Sequence, residues 1–216
     1  MATLSAFYPY VLPDVMGCPE MTADVAIRGA LIEFCEKSHV LQRDLDPVTV
    51  VRGIVDYDLD PPANQLVARI MRVWYKDREL TATAPDNINN AEVYNTLFTG
   101  ADKERSEPRI YLQKDERTFT IYPIPQDTVA NGLTIRAALK PTRAAEEVDD
   151  VLFEDYAETI AHGAKYRLLS MASKPWTNGP AASTALTMFN SGINVARQRA
   201  SRGHTRADLR VRLTGV

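Results

Sequence analysis

Apolar residues recur at every fourth position from Leu152 through Tyr156, Ile160 and Ala164 to Leu168. That spacing predicts one apolar stripe along a helix that begins near Val148. Glu154, Asp155 and Glu158 lie toward its start and Lys165, Arg167 and Lys174 toward its end, the order the helix dipole favours. Beyond the tight loop Ser173–Gly179, Pro180 stands at a first helical position, where a missing N–H costs nothing. From there Ala182, Leu186, Phe189, Ile193, Ala196 and Ala200 step by three or four residues, a heptad-like seam. So short a loop predicts an antiparallel αα-hairpin. Ala157, Ala161, Gly163 and Ala164 are small enough for another backbone to approach closely.

Toward the start, Phe7, Tyr8, Pro9, Tyr10, Pro13 and Pro19 crowd residues 1–21. Proline discourages helix, so this stretch is expected as an extended arm or a loop laid on something apolar, folded back on its own chain in preference to reaching a neighbour. Thr22 serves as N-cap for a helix over Ala23–Val40. Val25, Gly29 and Ile32 mark one side of it, Ile27, Leu31 and Phe34 another. A helix apolar on two sides is expected to be buried between partners.

After Asp46-Pro47 the pattern turns β-branched. Val48 to Val51, then Ile54 and Val55, read as a strand interrupted by Gly53. Leu66–Tyr75 fits strand or helix by periodicity, and the polar turn Lys76–Glu79 before Leu80 favours the strand. A short helix is expected at Ala91–Phe98. Arg109–Gln113 and Arg117–Tyr122 follow as strands, the latter alternating Phe119/Ile121 against Thr118/Thr120/Tyr122. Asn131-Gly132 signals a turn into Leu133–Leu139, and Pro141 ends that strand.

These elements predict an α+β fold: an antiparallel helix bundle built from the N- and C-terminal helices, a β-rich central insertion, and extended terminal arms. The divisions expected are an arm over 1–21, a bundle from 22–45 with 146–203, the insertion at 46–145 and a tail at 204–216. In that tail Leu209, Val211 and Leu213 alternate with Arg210 and Arg212, after Arg206, a strand pattern with one greasy and one basic face.

Composition changes the picture little. At 216 residues, 45% hydrophobic and 25% charged, the chain suits one large or two small globular domains and not a disordered one. A net charge of -3 argues against a general nucleic-acid binder. Cys18 and Cys35 form no metal or redox spacing. No basic-then-apolar leader and no apolar run near membrane-spanning length is present, so neither export nor a membrane is expected.

Candidate chemistry is sparse. Asp56, Asp58 and Asp60 alternate, but the glycine and closing glutamate of a calcium loop are missing, so a solvated acidic turn is expected. His39, His162 and His204 fall on different elements, without zinc spacing. There is no nucleophile elbow, Walker loop or dinucleotide fingerprint. Acidic pairs such as Asp149/Asp150 sit where a helix dipole explains them. No catalytic residue, metal or cofactor is expected.

One resemblance adds to this reading. Ile121-Tyr122-Pro123-Ile124-Pro125, then Leu133 to Pro141, a helix ending Tyr166-Arg167-Leu168-Leu169, the Lys174-Pro175-Trp176 loop and a helix containing Phe189 together resemble the head-to-tail adaptor proteins of tailed bacteriophages. The resemblance runs from about Arg109 to Arg199. It implies a structural virion protein of the neck, assembled in the host cytoplasm. It further implies a homo-oligomeric ring of twelve subunits beneath the portal protein, contact with a tail or nozzle protein, and a lumen through which genomic DNA passes. Residues Arg206, Leu209, Arg210, Val211, Arg212 and Leu213 are then the expected portal contact. Lys174, Pro175, Trp176, Leu186 and Phe189 are expected to serve loop and helix packing. Two other readings stand beside it: a glycosidase of the cell envelope, which needs two carboxyls about 5–10 Å apart in a cleft, and a generic protein-binding module.

Overall fold

The stripe at Leu152–Leu168 and the β-branched runs upstream separate into two units in the computed structural model, which describes residues 1–84 and 105–202. The chain is mixed α+β. It runs through β1 (Ala2–Thr3), α1 (Tyr8–Val11) and α2 (Glu20–Ser38) into β2 (Gln42–Val50), β3 (Asp56–Asp58), β4 (Gln65–Tyr75), β5 (Arg78–Glu79) and β6 (Thr81–Ala82). Then come β7 (Arg105–Ser106), β8 (Ile110–Gln113), β9 (Thr118–Tyr122), β10 (Ile124–Pro125), β11 (Val129–Pro141) and β12 (Glu147–Val148). The last two elements are the helices α3 (Asp150–Leu169) and α4 (Gly179–Arg202). The first unit takes Met1–Val40 and the chain from Arg143 onward; the second is Leu41–Thr142. The expected helix at Ala91–Phe98 and the tail from 204 lie outside the described residues.

In the first unit the apolar stripe of α3 behaves as its spacing predicts: Leu152, Ile160, Ala164 and Leu168 are fully buried and Tyr156 nearly so. Burial of each larger side chain contributes about 1.5–3 kcal/mol. Asp149 caps α3, its carboxylate accepting from the Val151 N–H at 3.3 Å. Contacts between α3 and α4 run in opposite order along the two helices. A Cβ on Gly163 would meet the Phe189 ring, Gly192 lies against Thr159, and Arg199 reaches Asp155 and the Tyr156 ring. On α4 the buried positions are Ala182, Ala185, Phe189, Ile193 and Ala196. Leu186 is only half-buried, because Ala185 turns toward the core in its place.

Three readings are corrected in this unit. Residues 1–21 are not an extended arm. Leu4–Phe7 and Leu12–Asp14 form 3-10 turns on either side of α1, and Phe7, Val11 and Val15 are fully buried. Pro9 stands in the first turn of α1, where proline starts a helix without losing a bond. Phe7 packs edge-on against Phe153 at 5.2 Å, and Ala2–Thr3 pairs with Glu147–Val148. The cap of α2 is Pro19, not Thr22, whose N–H bonds the Pro19 carbonyl at 2.9 Å. Finally, residues 42–45 belong to β2 and not to the helices; Leu45 pairs with Ile135.

The second unit holds two four-stranded sheets, ordered β2-β11-β4-β5 and β3-β9-β8-β6. β2 is an edge strand, so Pro47 fits within it without breaking a ladder. Asn131-Gly132 is not a hairpin turn. It sits inside β11, where the pairing with β2 slips between Val129 and Leu133 and Asn131 has φ 51°, a bulge. In β9 the alternation fails at Thr120, which is fully buried because its hydroxyl donates to Asp56 at 2.5 Å. The core comprises Val67, Val73, Phe119, Ile121, Leu133 and Ile135 among others.

Candidate functional site

With the stripe of α3 turned inward, its opposite face is left outward. Glu154, Asp155 and Glu158 are exposed on it, followed by half-buried Thr159, His162 and Lys165. This face is the floor of a trough. The N-terminal turns form one wall through Pro9, Tyr10, Pro13 and Met16. At the far end the loop after α3 and the start of α4 close the other side with Pro175, Trp176, Ala181 and Thr184. Three neighbouring hollows that share lining residues make up the trough. The one beside Trp176 is about 760 Å³, a middle one over His162 about 320 Å³, and one over Glu154 and Glu158 about 260 Å³.

The trough is charged unevenly. At the Glu154 end, Asp155 has a loose partner in Arg199 at 3.8 Å. At the other end Lys165 is held by Asp14 at 2.5 Å. Burial, and then the nearby Lys165, push His162 below its ordinary value, so it stays neutral at pH 7. The Trp176 Nε1 is enclosed and has no acceptor among the described residues.

The loop that carries Trp176 is tied down locally. The Thr177 hydroxyl accepts from the Lys174 N–H at 3.0 Å and donates to the Met171 carbonyl. The Asn178 side chain accepts from the Ala181 N–H at 3.2 Å, capping α4. Of the packing residues expected from sequence, Lys174 and Pro175 are exposed, Trp176 and Leu186 half-buried and Phe189 fully buried. The structure therefore brings Pro175 and Trp176 into the trough and places Phe189 beneath the helices. The expected portal contacts Arg206, Leu209, Arg210, Val211, Arg212 and Leu213 lie outside the described residues.

Sequence reading marked Arg167 only as a charge near the end of its helix and missed its bridging role. Its guanidinium donates to the Gly163 carbonyl at 3.0 Å, to the Gly29 carbonyl at 3.1 Å and to the Glu33 carboxylate, and lies 6.0 Å from the Phe189 ring centroid. One side chain thus bridges α2, α3 and α4. It also missed Asp14 and Met16, which no local motif marks.

Chemically, the trough offers an acidic end, a neutral middle and an apolar, aromatic end. The hollow beside Trp176 holds a single carboxylate, Asp14, already bound to Lys165. Among the described residues no group of three His, Cys, Asp or Glu side chains is placed to hold a metal ion. Nor is any helix among them long and apolar enough to cross a membrane.

The family model described as SU10 adaptor protein matches residues 11–212, taking in both units. The chain belongs to the SU10 adaptor protein family. This is a phage head-to-tail adaptor family, so the chain is a phage structural protein and a component of the virion. Its family is not typically enzymatic. No curated protein matched the chain.

Proposed function

We propose that this protein assembles as a ring, twelve subunits in number, between the portal and the tail or nozzle, and that the ring continues the channel through which DNA leaves. The family match over residues 11–212 carries this reading. A ring closes through a head-to-tail contact between two different surfaces of one subunit. Two such surfaces are available on separate helices. Met21 and Val25 stand 82% and 64% exposed on α2, and Met188 and Val195 stand 51% and 60% exposed on α4. Contiguous exposed apolar patches mark contact surfaces. The C-terminal segment Arg206–Val216 is the contact with the portal, its arginines pairing with acidic groups there. Assembly takes place in the host cytoplasm.

Quantitative mass spectrometry of purified particles, counting this chain against the portal and major capsid proteins, tests the proposal. A count equal to the portal's, or related to it by simple ring symmetry, is expected. Absence from particles, or a few irregular copies, would overturn it.

A further inference from the structure

We propose that the trough along α3 is the docking site for a basic, apolar-spaced segment of a second virion protein, an inference that rests on the adaptor reading above. From Glu154 to Leu169 the trough runs along about four helical turns, roughly 22 Å at 1.5 Å per residue. That length accommodates a short amphipathic helix, whose anchors enter a groove from one face.

The apolar half of the match is at the far end. Met16 is 80% exposed there, in the same hollow as Pro13, Pro175 and the indole of Trp176, and Tyr10 is 40% exposed along the wall near Pro9 and Pro13. The charge half is at the other end. Glu154 and Glu158 are exposed and one turn apart, a like-charge pair that disfavours the helix by itself. The helix dipole accounts for acids in the first turn, and Glu158 lies in the third, beyond its reach. Arginine or lysine from a partner would offset both carboxylates.

Charge also decides between occupants. A second copy would present the exposed stripe of α2, a helix on which Glu20, Asp24, Glu33 and Glu36 outnumber Arg28 and Lys37, and would set carboxylate against carboxylate. The chain's own Arg206–Val216 has suitable chemistry, but under the same reading it reaches the portal. The segment therefore comes from another protein, with basic residues over Glu154 and Glu158 and an apolar anchor beside Trp176.

The test places a photo-crosslinking benzoylphenylalanine at Met16 in intact particles and sequences the linked peptides. A peptide from a different virion protein, with basic residues near an apolar anchor, is expected. Its yield should fall about tenfold in a Glu154→Lys/Glu158→Lys background, with an intermediate loss for Glu154→Gln/Glu158→Gln. A crosslinker at Val25 should keep its yield, and thermal melts should show all variants folded. Links confined to copies of this chain, including its 203–216 segment, would overturn the inference while leaving the ring intact. So would a yield indifferent to the charge reversal.

If the wild-type chain is missing from particles, the ring reading fails separately. The trough is then tested on the isolated full chain carrying Trp74→Phe, so that Trp176 alone reports. A synthetic leucine–lysine amphipathic helix should shift its emission saturably and a leucine–glutamate counterpart should not. Equal responses, or none, would overturn the docking site.

Discussion

Arg167 and Glu33 are 134 positions apart in the chain and joined by an ion pair in which each side chain is about a quarter exposed. The same guanidinium donates to the carbonyls of Gly163 and Gly29, so one side chain bonds three acceptors on two helices. A Cβ at Gly29 would lie 3.1 Å from the Arg167 Nε, which shows how closely the side chain crosses α2. Arg167→Met should cost about 1–3 kcal/mol of unfolding free energy, because it removes three charge-assisted bonds and leaves the half-buried Glu33 carboxylate with only its Lys37 pair. Arg167→Lys should recover only part of that, since an ammonium lacks the planar fork that reaches separate acceptors. Urea denaturation of the three proteins measures both. Equal stability of the methionine variant and the wild type would refute the bridging role.

The acid limb of stability should report the same pair. Burial works to raise the Glu33 carboxyl, but bonds from Lys37 and Arg167 outweigh it and hold the group below its ordinary 4.5. A depressed carboxylate contributes stability that is present above its unfolded value and lost as pH falls through its folded one. Wild-type stability should therefore decline as pH drops below 4.5, and Glu33→Gln should decline less over that window. Melting temperatures between pH 3 and pH 6 would show the difference, if those limits are taken as roughly bracketing the transition.

Gly163 and Gly192 reverse the usual helix rule. Replacing an interior helical glycine with alanine ordinarily stabilises by about 0.5–1 kcal/mol. Here a Cβ at Gly163 would come within 2.7 Å of the Phe189 ring, and one at Gly192 would collide with Thr159. Both alanine variants should lose about 1–3 kcal/mol through overpacking. Thr159→Ala should restore most of the loss at Gly192 and none at Gly163, a coupling that a double-mutant cycle reads directly.

Asp56 supplies a local test in the second unit. Lys114 at 2.7 Å, then the Thr120 hydroxyl, hold its carboxyl below the ordinary 3.8. Thr120→Val keeps the shape and removes one donor, so the Asp56 pKa should rise toward its ordinary value. Carboxyl-detected NMR titration follows it residue by residue. A fall, or no change, would show that the hydroxyl does not stabilise the charge.

Removing Arg206–Val216 tests the proposed portal contact. The truncated chain should fold with an unchanged melting temperature and fail to join portal rings in a pull-down with purified portal. Attachment at wild-type level would refute the role of those arginines.

What could be read in advance was whatever repeats locally. Leu152 to Leu168 recur every fourth residue, and that period alone determines which face of α3 is buried. Leu186 was misplaced because Ala185 and Leu186 are adjacent and both apolar, so counting heptads cannot choose between them. The prolines near the start were read as extended because they discourage helix interiors, yet Pro9 falls in a first turn, and the burial of Phe7 tips the balance. Thr120 looked like a solvent-facing residue because its partner, Asp56, lies on another strand. The trough was not legible at all. It draws on three separate stretches, residues 9–16, the outer face of α3 around His162 and the chain from Pro175 into α4, and nothing in their sequence says that they meet.

One feature of the topology bears on how the protein is made. The helical unit takes its first forty residues from the start of the chain and the rest from Arg143 onward. During synthesis, Ile27, Leu31 and Phe34 emerge long before α3 and α4 exist to cover them. At about 5–20 residues per second the wait is on the order of 10–30 s. The intervening Leu41–Thr142 unit needs no later residue for its sheets and can fold meanwhile. Nascent chains therefore carry an uncovered greasy helix for most of their time on the ribosome, a natural client for chaperones that bind emerging apolar segments.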